Sequence, residues 1–199
     1  MTGVDDPYES PKDADLVIDT DGISGTALLY LGLIELGYSV STYLPDRVSE
    51  GHGLSERGIR FFKEQDVSVM ITVDCGGNSV DEILLASSLG IETIVTDHHV
   101  MSESNTAAYS VISHMRDDSD YPYPYLTGSG TAFKLVEALF AHMNRPKPDH
   151  LMGLAALGTL SDIGPLVGEN RYIVKHGLDQ LNHNPSVGIK ALMTVSGVE

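Results

Sequence analysis

The sequence predicts an α/β fold: a doubly wound, mainly parallel five-stranded sheet with helices on both faces, followed by a helical C-terminal segment. Three observations predict it. Short β-branched apolar runs alternate with longer stretches of helical period, in the order strand, helix, strand, helix, strand, helix, strand. The connections are short, which suits right-handed crossovers in a parallel sheet. Residues 67–73 are apolar enough to be buried on both faces, as central parallel strands are.

Each element follows in order. Residues 1–14 read as a flexible lead-in, rich in acids, with Pro7 and Pro11. Leu16–Ile18 is a short strand, and Asp19-Thr20-Asp21-Gly22 follows at its end. Residues 23–36 form an apolar helix closed by Gly37. Residues 39–44 alternate as a second strand, and Gly51 to Gly53 make a flexible loop. Ser55 caps a helix running to about Gln65, with Glu56 in its favourable first turn. The strand 67–73 ends in Asp74-Cys75-Gly76-Gly77. Ser79 opens a helix to Leu89, and Gly90 stops it. Strands at 91–96 and 109–112 complete the core, 15–126. The helical part, 127–199, follows a Pro-Tyr loop, with helices predicted at 131–142, 149–160, 172–181 and 187–195.

Composition narrows the function. A chain of 199 residues is long enough for one sizeable domain with a real core. Lys+Arg is 12 and Asp+Glu is 28, giving 12 − 28 = −16. Such a charge argues against gripping nucleic acid over a wide face, because that affinity comes mostly from cations neutralising phosphates. It suits cation binding or a basic protein partner. Cys75 is the sole cysteine, so no internal disulfide forms and a reducing, cytoplasmic setting is expected. The first residues show no signal-peptide pattern. The best apolar run, Ala27 to Leu36, is too short for a bilayer and contains Glu35, so no membrane role is expected.

The chemistry gathers at strand ends. Three predicted strands finish in Asp19/Asp21, Asp74 and Asp97/His98. Parallel strands place their carboxyl ends on one edge of a sheet, so neighbouring strands would bring these side chains into one crevice. Acids with a single imidazole favour Mn²⁺ or Mg²⁺ over a structural Zn²⁺. A pair of such ions offsets the mutual repulsion of the acids and activates water for displacement at phosphorus. Taken singly, Asp19 or Asp74 serves equally well as a helix cap, and Asp97-His98-His99 as a surface turn. Gly22 and Gly76-Gly77 would let backbone amides approach an anion. Tyr121, Tyr123 and Tyr125 either stack on bases or cover a neighbouring helix. His52 either reaches a phosphate or stays a solvated loop residue, and Arg171 either meets a phosphate backbone or pairs with surface acids.

Four motifs carry a resemblance. Asp19-Thr20-Asp21-Gly22, Asp74-Cys75-Gly76, Asp97-His98-His99 and Leu157-Gly158-Thr159-Leu160-Ser161-Asp162 resemble, in order, those of the DHH phosphoesterase superfamily. Gly51-His52-Gly53-Leu54-Ser55, Gly128-Ser129-Gly130-Thr131-Ala132-Phe133-Lys134-Leu135 and Gly188-Ile189-Lys190-Ala191-Leu192 are similar to its RecJ branch of 5′→3′ single-strand-specific exonucleases. The likeness runs over about residues 15–197. It implies a site of two Mn²⁺ ions, with Mg²⁺ as substitute, held by Asp19, Asp21, Asp74, His98 and Asp162, with Asp74 bridging. His99 would face the scissile phosphate, and Asp97 would orient an imidazole or a helix start. Gly76, Gly77, His52, Gly128, Gly130 and Arg171 are the candidate substrate contacts.

The implied function is hydrolysis of single-stranded DNA or short oligonucleotides. The competing expectation is a non-catalytic scaffold in a replication or repair complex. Clustered acids favour the enzyme, since they cost stability through repulsion when no cation is present. Two departures from the family stand out: its substrate-closing C-terminal domain is expected to lie outside these 199 residues, as in a fragment, a split protein or a shortened paralogue, with a separate domain or protein partner supplying it, and Val17 occupies a position where relatives carry Asp or His. Residues 17 and 19 share one face of a strand. Val17→Asp is therefore expected to tighten Mn²⁺ binding while lowering the stability of the metal-free protein, because a half-buried carboxylate is costly without a cation. Thermal melts with and without Mn²⁺ check this; equal destabilisation in both would refute it.

Overall fold

Short runs rich in β-branched residues form five strands, β1 (Leu16–Thr20), β2 (Val40–Tyr43), β3 (Val69–Val73), β4 (Glu92–Thr96) and β5 (Ser110–Ile112), of which β3 is buried along nearly its whole length. The structure, a computed structural model, describes residues 16–20, 22–46, 48, 50–102 and 107–197. The side chains of Val17, Asp19 and Thr20 lie outside this description, as do Asp21 and the expected lead-in through residue 14. All pairings are parallel, and the strand order is β2-β1-β3-β4-β5.

Right-handed crossovers decide which face each helix covers. The step from β1 to β2 runs opposite to the steps from β2 to β3 and β3 to β4, so α1 (Ile23–Glu35) lies on one face while α2 (Glu56–Glu64) and α3 (Val80–Ser88) share the other. Two cores result. Ile59 and Phe62 of α2 and Ile83 of α3 bury against Met70 and Val95. On the opposite face, Leu28, Leu29 and Leu33 of α1 meet Ile18, Ile71 and Val73. That second core continues into the helical half: α4 (Gly128–His142), a 3₁₀ turn (Asp149–Leu151), α5 (Met152–Ser161) and α6 (Gly168–His183). Phe133, Val136 and Phe140 of α4, Ala155 of α5 and Ile173 of α6 belong to it. The sheet and the helical half thus share buried surface. The last helix, α7 (Val187–Ser196), buries none of its residues among those described. Among the described residues no helix is long and apolar enough to cross a membrane.

Several boundaries differ from the sequence expectation, and three of them have a clear local reason. β1 runs on to Thr20, because Asp19 and Thr20 still pair with Thr72 and Val73 of β3. Helix α4 starts at Gly128 rather than about Thr131, because Thr127 caps it: its hydroxyl accepts from the Gly130 amide at 3.2 Å. Helix α6 starts at Gly168 rather than Tyr172, with its entry held by the Pro-Tyr loop. Tyr123 Oη donates to the Val167 carbonyl at 2.7 Å, and Tyr121 Oη donates to Glu169 at 2.6 Å. Burial, then Glu169, pushes the Tyr121 phenol up to about 12. Tyr121 and Tyr123 therefore cover a neighbouring helix, one of the two roles expected of the three tyrosines.

Phe133 is 1% exposed and packs α4 onto the sheet. Phe133→Ala is expected to cost about 3–5 kcal/mol by loss of transfer energy plus a residual cavity. Urea denaturation measures it.

Candidate functional site

Strand order places the site. From β1 the chain steps one way to β2 and the other way through β3 to β5, so the winding reverses between β1 and β3. Ligand crevices open at the carboxyl ends of strands at such a reversal. The end of β1 lies beside the end of β3 here, with Asp19 in register with Thr72.

Asp74 follows β3 directly. Its amide donates to the Thr96 carbonyl at 3.0 Å, which carries the β3–β4 ladder past the end of the strand. Its φ of 65° is left-handed, a conformation Asp tolerates better than most side chains. Thr72 braces the turn from below: its hydroxyl donates to the Cys75 carbonyl at 2.8 Å. A Cβ on Gly76 would stand 2.8 Å from that same hydroxyl oxygen, so the turn admits only glycine there. Cys75 is buried, in keeping with a packing role.

Asp97 ties two loops together. Its amide donates to the Ile112 carbonyl at 3.2 Å, extending the β4–β5 ladder. The side chain is almost fully buried, at 2% exposure, yet fully used. Oδ2 accepts from the Gly77 amide at 2.8 Å, and Oδ1 accepts from the His98 amide at 2.7 Å and the His99 amide at 3.2 Å. Oδ1 also lies 2.7 Å from His99 Nδ1. One carboxylate thus sets the 74–77 turn and the direction of the His99 ring. The Gly77 amide is engaged by Asp97 rather than left for an anion.

His98 and Asp74 make the centre. His98 Nε2 lies 2.9 Å from Asp74 Oδ1 and 3.6 Å from Asp162 Oδ2. Yet Asp74 Oδ1 and His98 Nε2 are both buried atoms without an aligned hydrogen-bond partner. Distance alone would make the pair a hydrogen bond; its alignment does not, so the contact is electrostatic, governed by separation rather than angle. Burial pushes the His98 imidazole down, but Asp74 foremost, then Asp162 and Asp97, outweigh it and hold it above its ordinary value. Asp74, His98 and His99 each bring a ligand atom within 4.8 Å of the others. An orphaned carboxylate oxygen facing an orphaned imidazole nitrogen, with a second carboxylate near, is a donor set that fits a divalent cation.

Glycines close this centre. A Cβ on Gly22 would stand 2.8 Å from Asp74 Oδ2, and one on Gly128 would overlap Oδ1. The entry to α1 and the first residue of α4 therefore press on both oxygens of one carboxylate. Behind them Ser24 and Ser129 share a hydrogen bond of 3.1 Å, and a Cβ on Gly158 of α5 would strike both side chains. Asp162 is the C-cap of α5. Ile163, at φ 55°, follows it in a left-handed conformation rare for a β-branched residue. The Gly164 amide donates to the Thr159 carbonyl at 3.0 Å and closes the helix end.

The structure brings Asp74, His98, His99, Asp97 and Asp162 together at one edge, beside Gly22, Gly76, Gly77 and Gly128. It gives no side-chain position for Asp19 or Asp21. His52 is exposed, in a loop whose Gly53 approaches Ser79 of the α3 cap. Arg171 is exposed on α6, and the Gly130 amide is held by Thr127. Thr72 and Ser24 shape the site without having drawn notice in the sequence, and Ser129, noted only within the segment 128–135, had no role of its own there. Only their spatial neighbours give them a role, and spacing carries no signal of that.

Comparison with known proteins agrees with this geometry. The model of the DHH family, N-terminal domain, matches residues 14–159. The single-stranded-DNA-specific exonuclease RecJ of Bacillus subtilis is 38% identical over 179 residues, covering 90% of this chain and 22% of that protein. RecJ of Thermus thermophilus is 37% identical over 181 residues, covering 90% of this chain and 26% of that protein. The chain thus spans about a quarter of the length of these relatives. A crystal structure of exonuclease RecJ bound to manganese superposes with a TM-score of 0.83 at 32% identity, covering 94% of this chain and 49% of that one.

The contact of Gly128 with Asp74 is testable without a ligand. Gly128→Ala is expected to cost about 1–3 kcal/mol by overpacking and to shift the ring resonances of His98 in NMR spectra. Gly188→Ala, where no atom lies within 4 Å of the new Cβ, should leave the His98 resonances alone and raise stability by up to about 1 kcal/mol.

Proposed function

The chain belongs to the DHH family, and we propose that it carries the metal-dependent phosphodiesterase centre of a RecJ-type nuclease, acting on single-stranded DNA or short oligonucleotides. The observation that carries this reading is the facing pair of Asp74 Oδ1 and His98 Nε2, 2.9 Å apart and both without aligned partners, at the ends of β3 and β4 beside the switch point of the sheet. The manganese of the superposed RecJ structure supports the choice of cation. Asp19, Asp21, Asp74, His98 and Asp162 are the proposed ligands of two Mn²⁺ ions, with Mg²⁺ as substitute. When bound, such ions would supply Lewis acidity, polarising the phosphodiester and making water a competent nucleophile near neutral pH.

The chain's own residues do the rest. Asp97 holds His99 by Nδ1 and so aims its ring toward the proposed phosphate position. Thr72 and the glycines at 22, 76 and 128 keep the Asp74 carboxylate from moving. His52, Gly76, Gly77, Gly128, Gly130 and Arg171 are the proposed substrate edge; at Gly77 and Gly130 this is a matter of close approach, since their amides are already engaged. Residues 15–126 and 127–199 are read as two parts of one unit, supported by their common core. A further domain or a protein partner completes the grip on a long strand.

Asp74→Asn tests this reading. Asn keeps the size and tolerates the left-handed backbone, so the fold should persist. Metal content by elemental analysis should fall by at least one ion per chain, and kcat for Mn²⁺-dependent hydrolysis of oligonucleotides by on the order of 10²–10³-fold. Unchanged metal content would refute the bridging role. Hydrolysis absent from the wild-type chain with metal bound would point instead to a non-catalytic scaffold. The charge of −16 adds a second expectation: long single strands bind weakly, because the acidic surface repels the backbone. Anisotropy titrations at several salt concentrations measure it, and tight, salt-resistant binding would contradict it.

A further inference from the structure

Outside the carboxylate centre, Glu50 is an acid that the fold holds from three sides. It stands between β2 and α2, and its side chain is only 8% exposed. Oε2 accepts from the Tyr43 hydroxyl at 2.6 Å and the Ser55 hydroxyl at 2.8 Å, and Oε1 accepts from the Asp46 amide at 3.2 Å. Arg57 approaches Oε1 at 4.0 Å. The Tyr43 phenol foremost, then Ser55, the Asp46 amide and Arg57, hold the carboxyl below its ordinary value against the opposing effect of burial. Both hydroxyls are themselves anchored. Ser55 caps α2, accepting from the Gly58 amide at 3.0 Å, and the Tyr43 ring packs edge-on against Phe62.

The bond from Ser55 to Glu50 closes the base of a short arc, residues 51–54. Gly51 and Gly53 have left-handed backbones, at φ 82° and 84°, bends that residues with a Cβ rarely adopt. Leu54 is buried in the core formed with α2 and α3, while His52, between the glycines, is exposed. The arc also has a defined place. A Cβ on Gly53 would lie 3.7 Å from Ser79 Oγ at the start of α3. The Ser79 amide donates to the Gly76 carbonyl at 3.1 Å, within the turn that follows Asp74. Because β1 lies between β2 and β3, a chain that leaves β2 and meets the start of α3 passes beside the carboxyl end of β1. That is where the winding of the sheet reverses and ligands collect.

We propose that Glu50 is a positioning residue for the substrate: by clamping the arc it fixes His52 at the edge of the crevice, where the imidazole takes a phosphate of the strand next to the one being cut. The proposal deepens the phosphodiesterase reading and rests on it for the strand. Without the clamp, two glycines leave His52 to be ordered only on binding, and that ordering weakens the contact.

The probe is 5′-phosphorylated tetrathymidylate, titrated against the full chain with Ca²⁺ in place of Mn²⁺ and followed by NMR. Glu50→Ala and His52→Ala should each raise Kd about tenfold. The double variant should bind no more weakly than His52→Ala, because Glu50 acts through His52. With dTMP, which carries a single phosphate, neither substitution should change Kd. Heteronuclear NOEs at residues 51–53 should fall in Glu50→Ala. Glu50→Gln keeps an oxygen for both hydroxyls and should bring Kd back to within about threefold of wild type. Tyr43→Phe removes one arm of the clamp and leaves the ring, which guards against a Glu50→Ala chain that fails to fold. It should raise Kd about threefold, and not at all in the His52→Ala background. Additive losses, equal losses with dTMP, wild-type Kd in both Glu50→Ala and Tyr43→Phe, or no binding of the probe by the wild-type chain would overturn the proposal. The Ca²⁺ titration reads binding without turnover. These losses without Mn²⁺-dependent cleavage would sink the catalytic reading and leave the role of Glu50 standing, and cleavage indifferent to Glu50→Ala would do the reverse.

Discussion

The position of the Asp74 carboxylate constrains everything built around it. One of its oxygens meets the backbone at Gly22 and the other the backbone at Gly128, each too close to admit a side chain. Those two glycines begin α1 and α4, helices that belong to opposite halves of the sequence. The carboxylate therefore sits at a three-way junction of β3, α1 and α4. Any shift in how the helical half docks on the sheet would move it. This gives the common core a function as well as a share of the stability: Phe133 and Val136 hold α4 against α1, and α4 in turn holds Asp74.

Such a junction is expensive in the absence of a cation. Asp74, Asp97 and Asp162 all act on one imidazole, and two atoms at the contact are buried without aligned partners. Unsatisfied buried polar atoms typically cost about 1–3 kcal/mol each. A protein with no use for the arrangement would avoid this cost by replacing both partners with apolar side chains. Asp97 shows the contrast. It is the more deeply buried acid, yet its oxygens accept from three amides and contact His99, so its cost is offset within the fold. The satisfied acid supports, and the unsatisfied acid faces the crevice.

Much of this was legible in the sequence, and the remainder was hidden for identifiable reasons. The strands announced themselves because parallel strands buried on both faces need unbroken β-branched runs. Their polar endings, Asp74 and Asp97, fell on one edge because parallel strands leave no alternative. The starts of α4 and α6 were obscured by Gly128-Ser129-Gly130 and Gly168, which read as loop until Thr127, Tyr123 and Asp74 are seen beside them. Asp162 was accessible only through family resemblance, since an acid at a helix end is ordinarily a cap, and it does cap α5. Thr72 left no trace in spacing at all. The partners of such residues are distant in sequence, and a single chain read without its fold does not record them.

The charge of the molecule and its proposed substrate set the final constraint. Several of its 12 Lys and Arg residues are already committed: Arg60 to Glu56, Arg116 to Asp118, Lys134 to Glu137 and Glu169, and Lys147 to Glu137 and Asp149. Each such pair removes a cation from the set that could neutralise phosphate. Surface pairs of this kind stabilise the fold by little, about 0–1 kcal/mol, so their larger effect is on the field outside the protein. On the proposed reading, a polyanion is then attracted chiefly to the site where divalent charge would gather at Asp74 and His98. Binding confined to a single locus favours a chain end over the middle of a strand, because an end brings one phosphate in without drawing its neighbours along an acidic surface. The excess of acid, which argued against gripping nucleic acid over a wide face, is on that reading compatible with attack at strand ends and with a separate, more basic element for holding the rest.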